Sequence, residues 1–370
     1  MLGHGADLDS IKRKYKVNRT IIDFSSNINP AIPEGIGEIL LDNIDCIRSY
    51  PDIEYMDLRS YIGTYIGSIS EENICVGNGA TELIFLFMKL IEGRVAIIGP
   101  SFSEYARACQ ISGIDYELVN MNFIDGSEDK RPSFDIDVFE RLDMIDNLGG
   151  LVVCNPNNPD GRLRDLSSLV DYSRSRSIKL LVDETFIEFC NNYKLYTSIN
   201  YDYDDIFILR AMTKFYGMPG LRMGYLFSRN IEFINELYKI KEPWTVNSMA
   251  EKVTLEILKR EVKDEFLFGK NTRLFYERER KYMLDRLDSI NGIREYETDS
   301  AFILLEINRE SGYNSASLKD LLVRQYGILI RDASNFEPLD DRFVRIAIKD
   351  RESNDILLGA LLSIFGGKGL

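Results

Sequence analysis

Lys214 stands in a short segment whose other residues could hold a charged cofactor beside it. A lysine that forms a Schiff base needs its amine close to a carbonyl group and partly shielded from water. A phosphate group nearby needs a fixed cation together with hydroxyl or backbone N–H donors. Thr213 and Arg222 supply the hydroxyl and the cation, and Gly217 and Gly220 shape the loop between them. A lone lysine could equally be an exposed surface residue, so this interpretation depends on partners elsewhere in the chain.

Asp183 is the first such partner, because it ends the short apolar run of residues 180–182. Such a run predicts a buried parallel strand with its carboxylate at the C-terminal edge, where open α/β sheets bind ligands. A carboxylate there can pair with the protonated pyridine nitrogen of pyridoxal phosphate (PLP) and keep the ring electron-poor. The alternative is an aspartate that caps the following helix.

Two turn segments complete the set of candidate site residues. Asn158 lies in the Asn-Pro-Asn-Asn-Pro turn of residues 155–159. Gly79, Ala80 and Thr81 open an apolar stretch, and small residues at a helix start let backbone N–H groups reach a phosphate. Each segment alone is also typical of an ordinary turn.

The four segments together, in this order and over nearly the whole chain, resemble the fold-type I PLP-dependent enzymes of the class I/II aminotransferase superfamily. The resemblance implies that Lys214 bonds covalently to PLP and that Asp183 pairs with the ring nitrogen. It implies the following further cofactor contacts: Gly79, Ala80, Thr81, Thr213 and Arg222 at the phosphate, Phe102 on the ring face, Asn158 at the ring hydroxyl, and Tyr50 at the phosphate of a neighbouring subunit. Three positions depart from the family pattern: Asp160 replaces a usual Thr, Ala211 replaces a frequent Ser, and Ala6 stands where the related enzymes usually have Gly.

The amino-terminal region resembles one branch of this superfamily, the threonine-phosphate decarboxylases of cobalamin side-chain synthesis. The resemblance lies in residues 3–7, 23–30 and 43–52, and in Phe186, where histidinol-phosphate aminotransferases usually carry Tyr. It implies PLP-dependent decarboxylation of O-phospho-L-threonine to (R)-1-amino-2-propanol O-2-phosphate. A histidinol-phosphate aminotransferase or a related amino-acid aminotransferase is the alternative. A non-catalytic PLP-fold binding protein is a third interpretation, disfavoured because the lysine and the aspartate are both present.

Recognition of a small anionic amino-acid phosphate requires fixed cations, and Arg331 and Arg345 are the candidates. Each lies in or beside an apolar run, where an arginine must find an anion or bear a large desolvation cost. Two structural salt bridges are the alternative, and the sequence does not say which arginine takes which anionic group. His4, on the amino-terminal arm, and Asn29 are further expected substrate contacts; the alternatives are an exposed terminal histidine and a turn residue.

The composition excludes several other classes of protein. The chain has 370 residues, of which 45% are hydrophobic, so it can bury a large core in two domains. Its net charge of −14 argues against nucleic acid and anionic membranes as partners. The 5 cysteines without CxxC spacing and the single histidine argue against a metal site or a disulfide framework. With neither a signal peptide nor a long apolar run, we expect a cytoplasmic enzyme, and the family implies a homodimer.

The order of elements predicts an α/β fold, which the resemblance makes a fold-type I PLP-dependent transferase. Strands alternate with helices over residues 46–245, which predicts a large PLP-binding domain around a mostly parallel sheet, seven-stranded by the resemblance. We expect residues 1–45 to form an arm and part of the small domain, and residues 246–370 to form a linking helix and a small C-terminal α/β domain. Residues 122–133 are predicted as a flexible surface loop. The predicted strands are residues 94–98, 115–119, 151–154, 179–182, 206–209 and 224–227.

Overall fold

The computed structural model describes residues 8–17, 19–126 and 131–367. Its strands are β1 (Ile22–Asp23), β2 (Ile74–Asn78), β3 (Arg94–Gly99), β4 (Tyr116–Asn120), β5 (Asn122–Ile124), β6 (Ser133–Asp135), β7 (Leu148–Cys154), β8 (Lys179–Asp183), β9 (Ile206–Ala211), β10 (Met223–Phe227), β11 (Ile293–Glu295), β12 (Phe302–Ile307), β13 (Ile328–Leu329), β14 (Arg331–Asp332) and β15 (Phe343–Ala347). Its α-helices are α1 (Leu8–Tyr15), α2 (Ile36–Asp42), α3 (Met56–Ile66), α4 (Gly79–Lys89), α5 (Glu104–Ser112), α6 (Phe139–Leu142), α7 (Ser167–Ser175), α8 (Tyr193–Tyr196), α9 (Met212–Phe215), α10 (Ile231–Ile240), α11 (Ser248–Lys263), α12 (Leu267–Leu287), α13 (Ser315–Leu321) and α14 (Arg351–Phe365).

The central sheet has seven strands in the order β2-β10-β9-β8-β7-β3-β4. Strands β4, β3, β7, β8 and β9 pair in parallel, which confirms the predicted α/β architecture. Strand β10 runs antiparallel to both β9 and β2. The connection between β9 and β10, residues 212–222, is shorter than the crossover that a parallel pair needs, so the chain must turn back. Strand β2 was not predicted, because Gly77, Asn78 and Gly79 are typical of a turn.

The sheet is buried on both faces, which explains the apolar strands in the sequence. Leu181 of β8 packs with Phe87 of α4 and Phe233 of α10 on one face. Leu180 and Val182 pack on the other face in a separate cluster that also contains residues of α7. Strand β8 ends with Asp183 at the C-terminal edge of the sheet, between the two layers of helices.

A second sheet is four-stranded and antiparallel, in the order β11-β12-β15-β14. The amino-terminal arm joins this part of the molecule, because β1 pairs in parallel with β13. The backbone N–H of Phe24 donates to the carbonyl of Leu329 at 2.7 Å, and the carbonyl of Phe24 accepts from Ala347 at 2.8 Å. These bonds carry residues 25–27 toward the edge of the central sheet. The proposed division at residues 45 and 246 stays a prediction.

The prediction of a flexible surface loop over residues 122–133 is wrong at both ends of that range. Strands β5 and β6 pair there as an antiparallel hairpin. The ring of Phe123 lies 6.1 Å from that of Phe134 and 6.2 Å from that of Tyr296, so apolar packing orders this segment. Residues 127–130 lie outside the described residues.

Helices α11 and α12 confirm the helical stretch that the sequence predicts after residue 246. Each buries one face, with Leu258 of α11 and Tyr276 of α12 fully inside the core. Within the described residues, no helix combines the length and the apolar character that crossing a bilayer requires.

Candidate active site

A cavity of about 230 Å³ opens at the C-terminal edge of β7 and β8. Most of the site residues predicted from the sequence line it: Ala80, Thr81, Phe102, Asn158, Asp183, Thr213, Lys214, Arg222, Arg331 and Arg345. Other residues complete the wall: Ser25, Ser26, Asn27, Ile84, Tyr105, Cys154, Thr185, Phe186 and Phe336. The fold therefore brings together one lysine, one buried carboxylate and three arginines from segments far apart in sequence.

Asp183 lies at the floor of the cavity and is only 5% exposed. Its Oδ2 accepts a hydrogen bond from the hydroxyl of Tyr105 at 2.6 Å, and its Oδ1 accepts one from the backbone N–H of Thr185 at 2.9 Å. Among the described residues, no lysine or arginine forms an ion pair with this carboxylate, which would need a nitrogen within 4.0 Å of one of its oxygens. Burial consequently raises the pKa of Asp183, although the two hydrogen bonds oppose that shift. A buried acid without a cation is suited to a ligand that brings a protonated nitrogen.

Lys214 lies on the short helix α9, where its side chain is partly buried. Burial, followed by the positive charges of Arg345 and Arg222, lowers the pKa of Lys214 to about 8. Asp23 opposes this shift. A substantial fraction of the amine is therefore neutral near physiological pH, which is the form that attacks a carbonyl carbon.

The start of α4 forms an anion site with Arg222. Gly79 has φ +76°, and a Cβ atom there would lie 2.5 Å from Nη2 of Arg222. A Cβ atom on Gly224 of β10 would lie 2.5 Å from the backbone nitrogen of Ala80. The two glycines thus let a guanidinium group and a helix N-terminus meet, and both attract negative charge. Gly79 itself does not line the cavity; its role is to make room for Arg222.

Asn158 lies in a turn that is ordered by the charge of Asp160, the residue that stands where the family usually has Thr. Asp160 is fully buried, and its Oδ1 accepts from Nδ2 of Asn157 at 2.7 Å. Its Oδ2 pairs with Nη2 of Arg164 at 2.5 Å. The carboxylate at residue 160 thus orders the turn through an ion pair and is not a donor to the cavity. The Oδ1 of Asn158 accepts a hydrogen bond from Nη1 of Arg345.

Arg331 and Arg345 are directly opposite each other on the antiparallel pair β14 and β15, so both side chains lie on the same face of the second sheet. Like charges at such positions destabilise a sheet unless an anion lies between or near them. Among the described residues, neither guanidinium forms a salt bridge; Arg331 donates to the amide oxygen of Asn335 at 2.9 Å. The described residues therefore do not show the structural salt bridges that were the alternative interpretation of Arg331 and Arg345.

Arg345 is 6% exposed and links three segments of the chain. Besides its bond to Asn158, it donates from Nη2 to the carbonyl of Ser25 at 3.0 Å, while its buried Nε has no hydrogen-bond partner in the part of the chain that the structure describes. Its guanidinium lies 5.2 Å from the ring centre of Phe302 and 5.9 Å from that of Phe336. Burial, and then the charge of Arg331, lowers the pKa of Arg345. A bound anion would relieve both effects.

Several wall residues were not predicted as site residues from the sequence. The buried Oγ of Ser26 and Oδ1 of Asn27 have no hydrogen-bond partner among the described residues, and both side chains line the cavity. Tyr105 lies three positions after Phe102, and that spacing across the start of α5 was a usable signal. Phe336 gave no local signal, because it reaches the cavity only through the fold of its loop.

Asn29 and Tyr50, like Gly79, do not line the cavity. The amide of Asn29 points into the protein: its Nδ2 donates to the carbonyl of Phe215 at 2.8 Å, and its Oδ1 accepts from Ala31 at 3.1 Å. It therefore supports the segment that carries Lys214, and it does not line the cavity. Tyr50 is 79% exposed and packs against Trp244 with the two rings tilted and their centres 4.7 Å apart. His4 lies outside the described residues.

The donors and acceptors of the cavity fit PLP. The helix N-terminus with Arg222 suits its phosphate, the uncompensated Asp183 suits a protonated ring nitrogen, and the amine of Lys214 suits its aldehyde. Phe102 offers an aromatic face beside them. All of these groups line one cavity, as a single ligand with these three groups requires.

Comparison with known proteins agrees with this chemistry. The family model described as aminotransferase class I and II matches residues 19–361. A protein of Caldanaerobacter subterraneus subsp. tengcongensis named putative threonine-phosphate decarboxylase is 38% identical over 92% of this chain and 89% of its own. A threonine-phosphate decarboxylase of Salmonella typhimurium is 32% identical over 94% of this chain and 92% of its own. The crystal structure of the histidinol-phosphate aminotransferase from Clostridium acetobutylicum superposes with a TM-score of 0.81 at 30% identity, covering 93% of this chain and 99% of that one.

The lowered pKa of Lys214 predicts unusual amine reactivity in the cofactor-free protein. Only a neutral amine reacts with an acylating reagent, so labelling of Lys214 should reach half of its maximal rate near pH 8, below the usual value of 10.5. Peptide mapping by mass spectrometry over a pH series measures this rate.

Lys259 is the internal control, because its hydrogen bond to Glu256 raises its pKa. An Arg345→Gln variant should move the Lys214 midpoint upward, since it removes one neighbouring positive charge. A Lys214 midpoint at the usual lysine value would contradict the environment described for this side chain.

Proposed function

The chain belongs to the aminotransferase class I and II family, and we propose that it is a PLP-dependent decarboxylase of O-phospho-L-threonine. The product would be (R)-1-amino-2-propanol O-2-phosphate, with release of CO2. The observation that carries the proposal is the cross-strand pair of Arg331 and Arg345, which faces the cavity without an acidic partner among the described residues. Phosphothreonine offers two anionic groups, one carboxylate and one phosphate, to these two cations. The identity to proteins named threonine-phosphate decarboxylase supports the same substrate.

The two arginines contact different parts of the site, and we use this to assign their roles. Arg345 contacts Asn158 and is one of the charges that lower the pKa of Lys214, whereas Arg331 donates to Asn335 at 2.9 Å. The carboxylate is attached to the same carbon as the amino group, so we assign it to Arg345. The phosphate is attached one carbon further away, so we assign it to Arg331. The orphaned Nε of Arg345 provides a second donor for a bidentate carboxylate.

We assign PLP to the remaining cavity residues. Arg222, Thr213 and the N-terminus of α4 would hold its phosphate, Asp183 its ring nitrogen, and Lys214 its aldehyde. When bound, PLP supplies an electron sink for the pair released as a bond to the substrate α-carbon breaks. By fixing the carboxylate and the phosphate separately, the two arginines orient the substrate so that the carboxylate is the group that leaves.

Lys214 has a second role in this scheme, which is to move a proton. Decarboxylation leaves an α-carbon that must take up a proton in place of CO2. With a pKa of about 8, the Nζ of Lys214 can hold that proton near neutral pH and still release it to carbon. The partly buried position of the side chain limits competing protonation by water.

An aminotransferase is the second candidate, favoured by the structural similarity to a histidinol-phosphate aminotransferase. The dicarboxylate substrate of an aminotransferase would also satisfy two arginines, so the arginine pair alone does not separate the two reactions. Phe186 favours the decarboxylase: it is 6% exposed and lines the cavity with a ring that carries no hydroxyl. An aminotransferase of the related group usually presents a tyrosine hydroxyl at that position.

We further propose that the active form is a homodimer. Five exposed apolar side chains, here called the ridge, lie in α2 and the segment after it: Leu41, Ile44, Ile47, Tyr50 and Ile53. Exposed apolar surface of this kind is typical of a protein interface. Arg222 is exposed at the cavity rim in the single chain, so a second copy could close the phosphate end of the site. Tyr50 on the ridge is the residue that we expect to reach the neighbouring cavity.

We also propose that the enzyme works in the cytoplasm, because its substrate and cofactor are charged and soluble in water. Recovery of the protein in the membrane pellet of a cell lysate would contradict this.

The two reactions predict different requirements. The holoenzyme incubated with phosphothreonine alone should release CO2 and form the amino alcohol phosphate over many turnovers. An aminotransferase would stop after converting its own PLP to pyridoxamine phosphate and would need 2-oxoglutarate to continue. Mass spectrometry of products with and without 2-oxoglutarate separates the outcomes. The Lys214→Ala protein is the control and should lose both the absorbance of the covalently bound cofactor and activity.

Replacing the arginine assigned to the phosphate should remove phosphate recognition selectively. An Arg331→Gln variant should lose about 10- to 100-fold in kcat/KM for phosphothreonine, the value of one or two charge-assisted hydrogen bonds. It should change little for threonine, which has no phosphate. Arg309→Gln, at an exposed surface pair, is the matched control. Equal losses for both substrates would show that Arg331 does not contact the phosphate.

The interface can be tested by placing a charge on the ridge. An Ile47→Asp variant should be monomeric by analytical ultracentrifugation, because the carboxylate would be buried without a partner. Leu195→Asp, at another exposed leucine, should leave the dimer intact. A Tyr50→Phe variant should remain dimeric and lose affinity for PLP. A monomeric wild-type protein with full PLP affinity would disprove the arrangement.

A further inference from the structure

Tyr105 is fully buried in the wall of the cavity. Its hydroxyl makes a hydrogen bond that has no part in the function proposed above. Its hydroxyl donates to Oδ2 of Asp183 at 2.6 Å, a distance typical of a hydrogen bond to an ionised carboxylate. We propose that Tyr105 is a positioning residue, which keeps Asp183 ionised and directed at the ring nitrogen of the cofactor. This inference rests on the proposed function, because it requires PLP in the cavity.

The need for such a donor follows from the surroundings of Asp183. The titratable groups near it are the thiol of Cys154 on β7, the adjacent Glu184 and Tyr105 itself. Glu184 is already paired with Arg210 at 2.8 Å, and burial raises the pKa of the Cys154 thiol well above its usual value. None of these groups supplies a positive charge to the carboxylate. Hydrogen-bond donors must therefore stabilise its ionised form.

Tyr105 is suited to that role over the whole physiological pH range. Burial, and then the charge of Asp183, raises the pKa of the Tyr105 hydroxyl well above its usual value, so it stays a donor. The other donor, the backbone N–H of Thr185, bonds to the opposite carboxylate oxygen. With both oxygens held, the carboxylate cannot rotate away from the cavity, and its charge stays available to a protonated ring nitrogen.

The consequence concerns the position of one proton. A carboxylate that loses a hydrogen-bond donor becomes a stronger base. Without the Tyr105 hydroxyl, Asp183 would draw the shared proton from the ring nitrogen onto its own oxygen. The ring would then be neutral and would withdraw electrons less well. The substrate-binding arginines are on the other sheet, so binding of the substrate should be unaffected.

A Tyr105→Phe holoenzyme loaded with PLP labelled with ¹⁵N in the ring tests this directly. The ¹⁵N resonance should be that of a protonated pyridine in the wild-type protein. In Tyr105→Phe it should move toward the value of the unprotonated ring. We expect kcat to fall about 10- to 100-fold with KM for phosphothreonine unchanged, which is the loss of one hydrogen bond to a charged group.

Tyr172→Phe is the matched control, because the Tyr172 hydroxyl donates to Oδ1 of Asp143 at 2.9 Å, away from the cavity. It should keep the wild-type ¹⁵N resonance and kcat. Tyr105→His retains an N–H donor, so it should restore part of the protonated signal, and it replaces the Phe variant if that protein does not fold. Tyr105 also packs edge-on against Phe102 at 5.8 Å, and a role limited to this packing would leave the ¹⁵N resonance unchanged.

The outcomes separate this inference from the function on which it rests. If Tyr105→Phe binds PLP and shows the wild-type resonance, the role of Tyr105 is refuted while the PLP site stands. If the wild-type protein binds no PLP, both are refuted. A shifted resonance in Tyr105→Phe alone, with a normal one in Tyr172→Phe, supports the role of Tyr105.

Discussion

The carboxylate of Asp183 is buried at the end of β8 without a neighbouring cation in the described part of the chain, and the rest of the site compensates for that. A charge in such a position is costly unless hydrogen bonds or an opposite charge stabilise it. The protein supplies two hydrogen bonds, from Tyr105 and Thr185, and leaves one direction open. That open direction faces the cavity, so the stabilising charge must come from the ligand. The preference for a ligand with a protonated nitrogen follows from this arrangement.

The other charged groups that line the cavity are positive. Lys214, Arg222, Arg331 and Arg345 all face it, although the whole chain carries a net charge of −14. Local cations decide what a pocket binds, because interactions between charges weaken rapidly with distance in salt solution. Burial, and then the charges of Arg345 and Arg222, lowers the pKa of Lys214 and prepares its amine for reaction. The repulsion among the cations is relieved when anionic groups bind.

Arg345 connects parts of the molecule that surround the cavity. It extends from the second sheet to Asn158 at the edge of the central sheet and to the carbonyl of Ser25 on the arm. The arm is in turn fixed by the pairing of β1 with β13. A change in any of these three segments would therefore be transmitted to the cavity through one side chain.

The amino-acid sequence by itself predicted the class of fold and most of the candidate residues that line the cavity. Lys214, Asp183, Asn158 and the glycines before Thr81 are recognisable because each acts through its own backbone turn or strand end. Such local conformations depend on a few neighbouring residues. The same locality explains why the strands of the central sheet were predicted, and why β2 was not.

Only the tertiary structure decided how these residues are combined. The opposition of Arg331 and Arg345 depends on the register of two strands, and the bond from Tyr105 to Asp183 joins a helix to a strand 78 residues away in sequence. The inward turn of Asn29, against the expected substrate contact, was likewise set by the carbonyl of Phe215. Side-chain partners across long separations are chosen by packing and register, which a linear sequence does not encode position by position.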